Sequence, residues 1–218
     1  MNQPLEQLAC IPVDQVQLEG MLELPTDPSG IVLFAHGSGS SRHSPRNNYV
    51  ARILRGRGLG TLLLDLLTPE EDLDYSTRFD IPLLARRLLA ATRWLEGQEA
   101  TRALPLGYFG ASTGAAAALQ AAAALGAGCS AVVSRGGRPD LAGAAALGQV
   151  RCPTLLIVGG HDPEVLELNR QAEALLCCER ELRVVPGATH LFEEPGTLEA
   201  VATLAADWLQ RHLCAQRP

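Results

Sequence analysis

A serine held between two glycines, Gly110-Ala111-Ser112-Thr113-Gly114, lies between the apolar run Leu104 to Phe109 and an alanine-rich stretch from Ala115 to Leu125. The order reads as strand, sharp turn and helix, with Ser112 at the apex. A serine that is to attack a carbonyl must project from a tight turn, and flanking glycines leave room for the strand and helix to close around it. The N-terminus of the following helix supplies unpaired N–H groups and the positive end of its dipole, both suited to an oxyanion. A glycine-rich turn between core elements would look the same locally, so partners elsewhere in the chain must decide.

Such a nucleophile needs a base, and the base needs a group that fixes its tautomer. After the apolar run Thr154 to Val158 comes Gly159-Gly160-His161-Asp162-Pro163, which brings a carboxylate to the end of a predicted strand. Asp162 before Pro163 would also serve as a helix N-cap. After Leu182 to Val185 comes Pro186-Gly187-Ala188-Thr189-His190-Leu191-Phe192. Of the five histidines, His36, His43, His161, His190 and His212, only His190 follows a strand after both Ser112 and Asp162. His212, at the end of the last predicted helix, is accounted for by the helix dipole. A fourth segment, Ala35-His36-Gly37-Ser38-Gly39-Ser40-Ser41, follows the early run Ile31 to Phe34. An oxyanion hole takes one donor from the residue after the nucleophile and one from such an early loop, roles that fit the N–H groups of Thr113 and Ser38.

These residues require a scaffold that gathers strand ends. Short β-rich runs alternate with helical patterns: strands over Val16 to Leu24, Ile31 to Ala35, Thr61 to Leu64, Leu104 to Phe109, Ala131 to Val133, Thr154 to Val158 and Leu182 to Val185, and helices over Tyr49 to Arg57, Ile81 to Leu95, Glu164 to Leu176 and Leu198 to Leu213. Alternation of this kind predicts an α/β fold, a mostly parallel sheet between two helical layers, with functional residues past the carboxyl ends of its strands.

Composition narrows the chemistry. With 218 residues, 47% hydrophobic and 19% charged, the chain is long enough for one substantial core, and a single domain over residues 1–218 is expected. A formal charge of −6 without a basic cluster argues against nucleic acid or an anionic membrane as partner. All eighteen basic residues are arginine. The absence of lysine removes a Walker-type phosphate loop, Schiff-base and pyridoxal-phosphate chemistry and a Ser-Lys dyad. Met1 to Pro12 lacks a charged then apolar leader pattern, and no apolar run has membrane-spanning length, so a cytoplasmic protein is expected. Six scattered cysteines without zinc spacing fit free thiols.

Taken together, His36-Gly37 after an early strand, the Gly-Ala-Ser-Thr-Gly turn, Gly-Gly-His-Asp-Pro and Gly-Ala-Thr-His-Leu-Phe, in that order, resemble an α/β-hydrolase of the small dienelactone-hydrolase-like branch. The resemblance covers nearly the whole chain and implies Ser112 as nucleophile, Asp162 as acid and His190 as base, with Ser38 and Thr113 as oxyanion donors. The branch's namesakes carry cysteine at the elbow; Ser112 here favours ordinary ester chemistry. The expected function is hydrolysis of small carboxylic esters through an acyl-enzyme, with thioester hydrolysis, acyl transfer or peptide cleavage as alternatives on the same residues, and a non-enzymatic binding module as the remaining reading. No metal or organic cofactor is required, the partner is a small-molecule ester, and a monomer or small homo-oligomer is expected. About twenty residues separate the strand ending at Val133 from the next, too few for an independent lid, which predicts an open pocket. Arg42, Arg46, Arg135 and Arg138 border the predicted site; contact with an acidic substrate group is one reading of them, and solvent-facing or salt-bridged charge is the commoner explanation.

Overall fold

In the computed structural model, residues 3–214 are described. Eight strands form one sheet in the order β1-β2-β4-β3-β5-β6-β7-β8. β1 (Leu5–Val13) and β2 (Val16–Leu24) are antiparallel to each other, and β2 runs antiparallel to β4 (Gly60–Leu64). From β4 onward every pairing is parallel, through β3 (Ile31–Ala35), β5 (Leu106–Ala111), β6 (Ala131–Arg135), β7 (Thr154–Gly159) and β8 (Arg180–Val185). The sheet is thus mostly parallel and sandwiched between helices, as the alternating pattern predicts.

The central strands are buried on both faces because each face carries its own core. Val32, Phe34, Leu63, Phe109, Val133, Leu155 and Ile157 pack under α1 (Pro45–Gly56) and α6 (Thr197–Cys214), whose Leu54, Val201, Trp208 and Leu209 face them. On the other face Leu33, Leu62, Tyr108, Val132 and Leu156 meet α2 (Ile81–Glu96), α3 (Thr113–Leu125) and α5 (Pro163–Leu175). Burying each such Leu, Ile or Phe contributes about 1.5–3 kcal/mol. The alanines of α3 let that helix lie close to the sheet: Ala115 to Ala118, Ala121 and Ala122 are all fully buried. A closely seated α3 holds its N-terminus, and therefore Ser112, in a fixed place.

Three features depart from the sequence expectation. The first is β1. Its Ala9, Ile11 and Val13 point into the core, while the intervening Cys10 and Pro12 face solvent. A proline is tolerated there because β1 is an edge strand. A two-residue turn at Asp14-Gln15, with Asp14 at φ 52°, links β1 to β2 without the usual Asn-Gly signal. The second is α1, which begins at Pro45, not Tyr49; Ser44 caps it through Oγ, accepting from Asn47 N–H at 3.3 Å. The third is β6, which continues through Ser134 and Arg135 with all five residues buried. Polar residues at the carboxyl end of a strand end the apolar run, not the strand.

The segment between β6 and β7 carries no lid, only a 3₁₀ turn (Pro139–Ala142) and the single-turn α4 (Ala144–Leu147). Residues 65–80, between β4 and α2, instead fold against the loop after β3, and Arg78 reaches to the side of Gly39.

Candidate active site

Ser112 sits between β5 and α3 with φ 50° and ψ −122°, a backbone conformation that L-residues rarely adopt. The surroundings enforce it. Ser112 N–H donates to the Arg135 carbonyl of β6 at 3.3 Å, and its own carbonyl accepts from Ala115 and Arg138 N–H, each at 3.1 Å. The two glycines of the turn have a steric reason: a Cβ at Gly110 would overlap the backbone of Ala115, and one at Gly114 would overlap the carbonyl of Ala35. Even Gly37, in the facing loop, would place a Cβ 2.9 Å from Ser112 Cβ. Strand, elbow helix and the loop after β3 therefore close around the serine as tightly as backbone permits.

Asp162 follows β7 and His190 follows β8, and their side chains meet: His190 Nδ1 donates to Asp162 Oδ2 at 2.7 Å. Asp162 makes no side-chain cap to α5, so its carboxylate is given to the imidazole and not to the helix it precedes. With the proton on Nδ1, His190 Nε2 is left with its lone pair. His190 and Ser112 line the same cleft, of about 210 Å3, together with Ser38, Arg46 and Arg135. The hydrogen bond recorded among the described residues is imidazole to carboxylate and not serine to imidazole.

Thr113 opens α3, so its N–H has no acceptor within the helix. Ser38 N–H donates to Thr113 Oγ1 at 3.0 Å. That bond ties the loop after β3 to the elbow, a role for the threonine hydroxyl that the sequence does not announce. The other histidines have separate duties. His36 is buried; its Nε2 accepts from Leu66 N–H at 3.0 Å and Nδ1 donates to Gly37 O at 2.9 Å, clamping the loops after β3 and β4 together. Burial holds its pKa below the ordinary value, outweighing Asp65 and Asp72. His212 lies beside Trp208 on α6, 3.6 Å from Glu179.

Three of the four bordering arginines are salt-bridged: Arg42 to Asp65 and Glu19, Arg46 to Glu193 and Arg138 to Asp140. Arg135 is different. It is only 8% exposed, it pairs with no carboxylate among the described residues, and its Nη2 reaches the neutral Asn47 Oδ1 at 3.3 Å. Among the described residues no cluster of side chains has metal-ligand composition.

A mostly parallel sheet with helices on both faces, a serine on a strained strand-to-helix turn after β5, and an acid and a histidine delivered after β7 and β8 in the order Ser, Asp, His define the α/β-hydrolase class. A crystal structure of dienelactone hydrolase from Anabaena variabilis is 55% identical to this chain, superposes with a TM-score of 0.93, and matches 97% of this chain and 100% of its own. The chain belongs to the dienelactone hydrolase family. The fold extends to more distant proteins, such as Est1E from Butyrivibrio proteoclasticus, at 15% identity and TM-score 0.80 over 94% of this chain and 98% of that one. No protein-family model matches. Curated proteins from two Mycobacterium tuberculosis strains, each named "Putative phosphoribosyl transferase", are 62% identical over 203 residues, which is 93% of this chain and 46% of theirs. The chain thus spans about half the length of the curated relatives it matches.

Proposed function

We propose that this chain is a serine hydrolase that cleaves small carboxylic esters through an acyl-enzyme on Ser112. The observation that carries the reading is the 2.7 Å hydrogen bond to Asp162 from His190, which lines the same cleft as Ser112. His190 Nε2 takes the proton of Ser112 Oγ as the oxygen bonds to the ester carbonyl carbon, and the carbonyl π electrons move to its oxygen. Asp162 stays ionised, holds the Nδ1–H tautomer and stabilises the imidazolium. The oxyanion is met by Thr113 N–H and by Ser38 N–H, which exchanges its bond to Thr113 Oγ1 for the stronger, charged acceptor. One such donor is worth on the order of 3 kcal/mol of transition-state stabilisation.

When the tetrahedral intermediate collapses, the C–O bond to the alcohol breaks and imidazolium returns its proton to the leaving oxygen. Water then adds to the acyl-enzyme with its proton passing to Nε2. The second collapse releases the acid and restores Ser112 Oγ–H. A serine oxygen in place of a thiolate suits ordinary esters, and thioesters are the second class we assign to the same residues.

The transferase name attached to the Mycobacterium tuberculosis relatives belongs to proteins about twice as long. Resemblance of the shared part to a crystallised dienelactone hydrolase over its full length supports acyl chemistry for this portion. The test is turnover of 4-nitrophenyl acetate and butyrate by the wild type, Ser112→Ala and Asp162→Asn, alongside pyrophosphate release from phosphoribosyl pyrophosphate. Ester turnover that Ser112→Ala abolishes, with no pyrophosphate released, is expected. Turnover equal in wild type and Ser112→Ala would remove the proposal.

A further inference from the structure

We propose that Cys129 and Cys152 form a redox-active dithiol, which a hydroperoxide converts into a reversible disulfide between the starts of β6 and β7. The site stands apart from the ester chemistry: β6 and β7 begin here and deliver Arg135 and Asp162 at their other ends. The six cysteines are scattered in sequence, and the fold brings these two together. Cys129 lies two residues before β6 and Cys152 two residues before β7. Those strands are parallel neighbours, with Val132 opposite Thr154 and Val133 opposite Leu155, so the segments leading into them run close together. The two sulfurs are in contact at 3.5 Å. They need to close by only about 1.5 Å to reach the disulfide bond length, a movement within the reach of side-chain torsions.

Two buried cysteines can also be small apolar residues filling a core, and both of these are only 4% exposed. Acidity and position separate this pair from that role. The hydrogen bond with Cys129 favours the thiolate of Cys152 and lowers its pKa from the ordinary thiol value, while the same contact, together with burial, holds Cys129 well above it. The pair thus contains an attacking sulfur and a neighbour that keeps its proton. Gly128 and Arg151, the residues immediately before the two cysteines, are exposed, so the sulfurs lie just beneath the surface at the rim of the sheet. A small hydroperoxide needs only a local opening there. Cys178 marks the contrast: its Sγ meets Thr154 Oγ1 at 3.8 Å, and burial raises its pKa.

One hydroperoxide balances the reaction. The Cys152 thiolate attacks the outer oxygen of ROOH, the O–O bond breaks, and the alkoxide leaves as ROH with the proton that Cys152 gave up. Cys152 is then a sulfenic acid. The Cys129 sulfur attacks the Cys152 sulfur, the S–OH bond breaks, and hydroxide leaves as water with the Cys129 proton. Each sulfur has lost one electron, and the O–O bond has taken both. Exchange with an added dithiol restores the two thiols.

The test treats the folded protein with stoichiometric tert-butyl hydroperoxide, blocks the remaining thiols with N-ethylmaleimide and maps the peptides without reduction. The expected main product is a monomer lighter by two hydrogens before blocking, with a Cys129–Cys152 cross-link that dithiothreitol reverses. Cys10 and Cys177 are exposed and act as internal comparators; they should remain available to maleimide. Cys178→Ala should leave the cross-link intact, and Cys129→Ser should leave a sulfenic acid on Cys152 that dimedone captures. If Cys129→Ser fails to fold, the wild-type map decides alone. Oxidation of Cys10 or Cys177 while Cys129 and Cys152 stay reduced, or a disulfide from Cys152 to Cys178 instead, overturns the proposal.

Discussion

At the scale of single residues, the site concentrates unfavourable features, the first of which the proposed function would explain. Ser112 holds a strained backbone, a conformation that typically costs about 1–3 kcal/mol, and Arg135 is buried without a carboxylate. Neither helps the chain fold. His190 and Asp162, by contrast, are held only at loop positions, so removing them should leave the fold in place. We expect Asp162→Asn to lower kcat on the order of 10³–10⁴-fold, because an amide at that position no longer fixes the Nδ1–H tautomer, with Tm changed by no more than a few degrees. Ester kinetics and a thermal melt on the same preparation check both halves. Ser112, Asp162 and His190 could be picked out from sequence because each follows an apolar run at a predictable edge. Arg135 could not be separated from Arg42, Arg46 and Arg138, since the partner that pairs each arginine comes from a distant part of the chain, as Asp65 and Glu193 do. The Ser38–Thr113 bond was hidden for the same reason, being a contact between residues 75 apart.

At the scale of elements, the elbow works because β3, β5 and α3 approach to backbone contact. Gly114→Ala should therefore be among the most damaging single substitutions, since its methyl group would enter the space of the Ala35 carbonyl. A loss of about 3 kcal/mol or more in a urea melt is expected, against less than about 1 kcal/mol for alanine at Gly56, the exposed last residue of α1, where nothing lies within 4 Å. The loops after β3 and β4 are joined by His36, and this makes the site region acid-sensitive. The folded-state pKa of His36 lies below its ordinary value near 6.5 because burial disfavours the cation, and His212 is shifted in the same direction. The unfolded chain then binds more protons than the folded one below about pH 6.5, so stability is complete above that pH and falls as pH drops through it. Tm measured from pH 8 to 5 should decline below about pH 6.5. His36→Gln, whose amide can accept from Leu66 N–H without titrating, should flatten the decline. The main strands and long helices were legible because their apolar periods are strong. β1 was missed because Cys10 and Pro12 interrupt its alternation and its turn lacks a glycine, and the start of α1 because its first turn is polar, although Ser44-Pro45 was a readable cap.

At the scale of the whole molecule, the sheet and its two cores form a rigid frame with little built over the edge that carries Ser112. The region after β6, where a lid could have been inserted, contains only short turns. Residues 65–80 lie beside the loop after β3: their Leu73 is 86% exposed, and their Asp72 and Arg78 border that loop, which carries Ser38. The short spacing between β6 and β7 left no room for an independent lid, but could not show that residues 65–80 lie beside the loop after β3, because that depends on how the chain returns from β4 to α2. A cleft of about 210 Å3 suits a small acyl group. The kcat/KM for 4-nitrophenyl esters should accordingly fall at least about tenfold from butyrate to dodecanoate; a rise with chain length would mean that residues 65–80 open onto a larger apolar site. The most direct measurement of the central claim is the intact mass and peptide map of the folded protein after reaction with a fluorophosphonate. The account predicts one adduct, on the peptide containing Ser112, absent from Ser112→Ala and strongly slowed in His190→Ala. A folded wild type that takes no adduct, or an adduct that persists in Ser112→Ala, would contradict it.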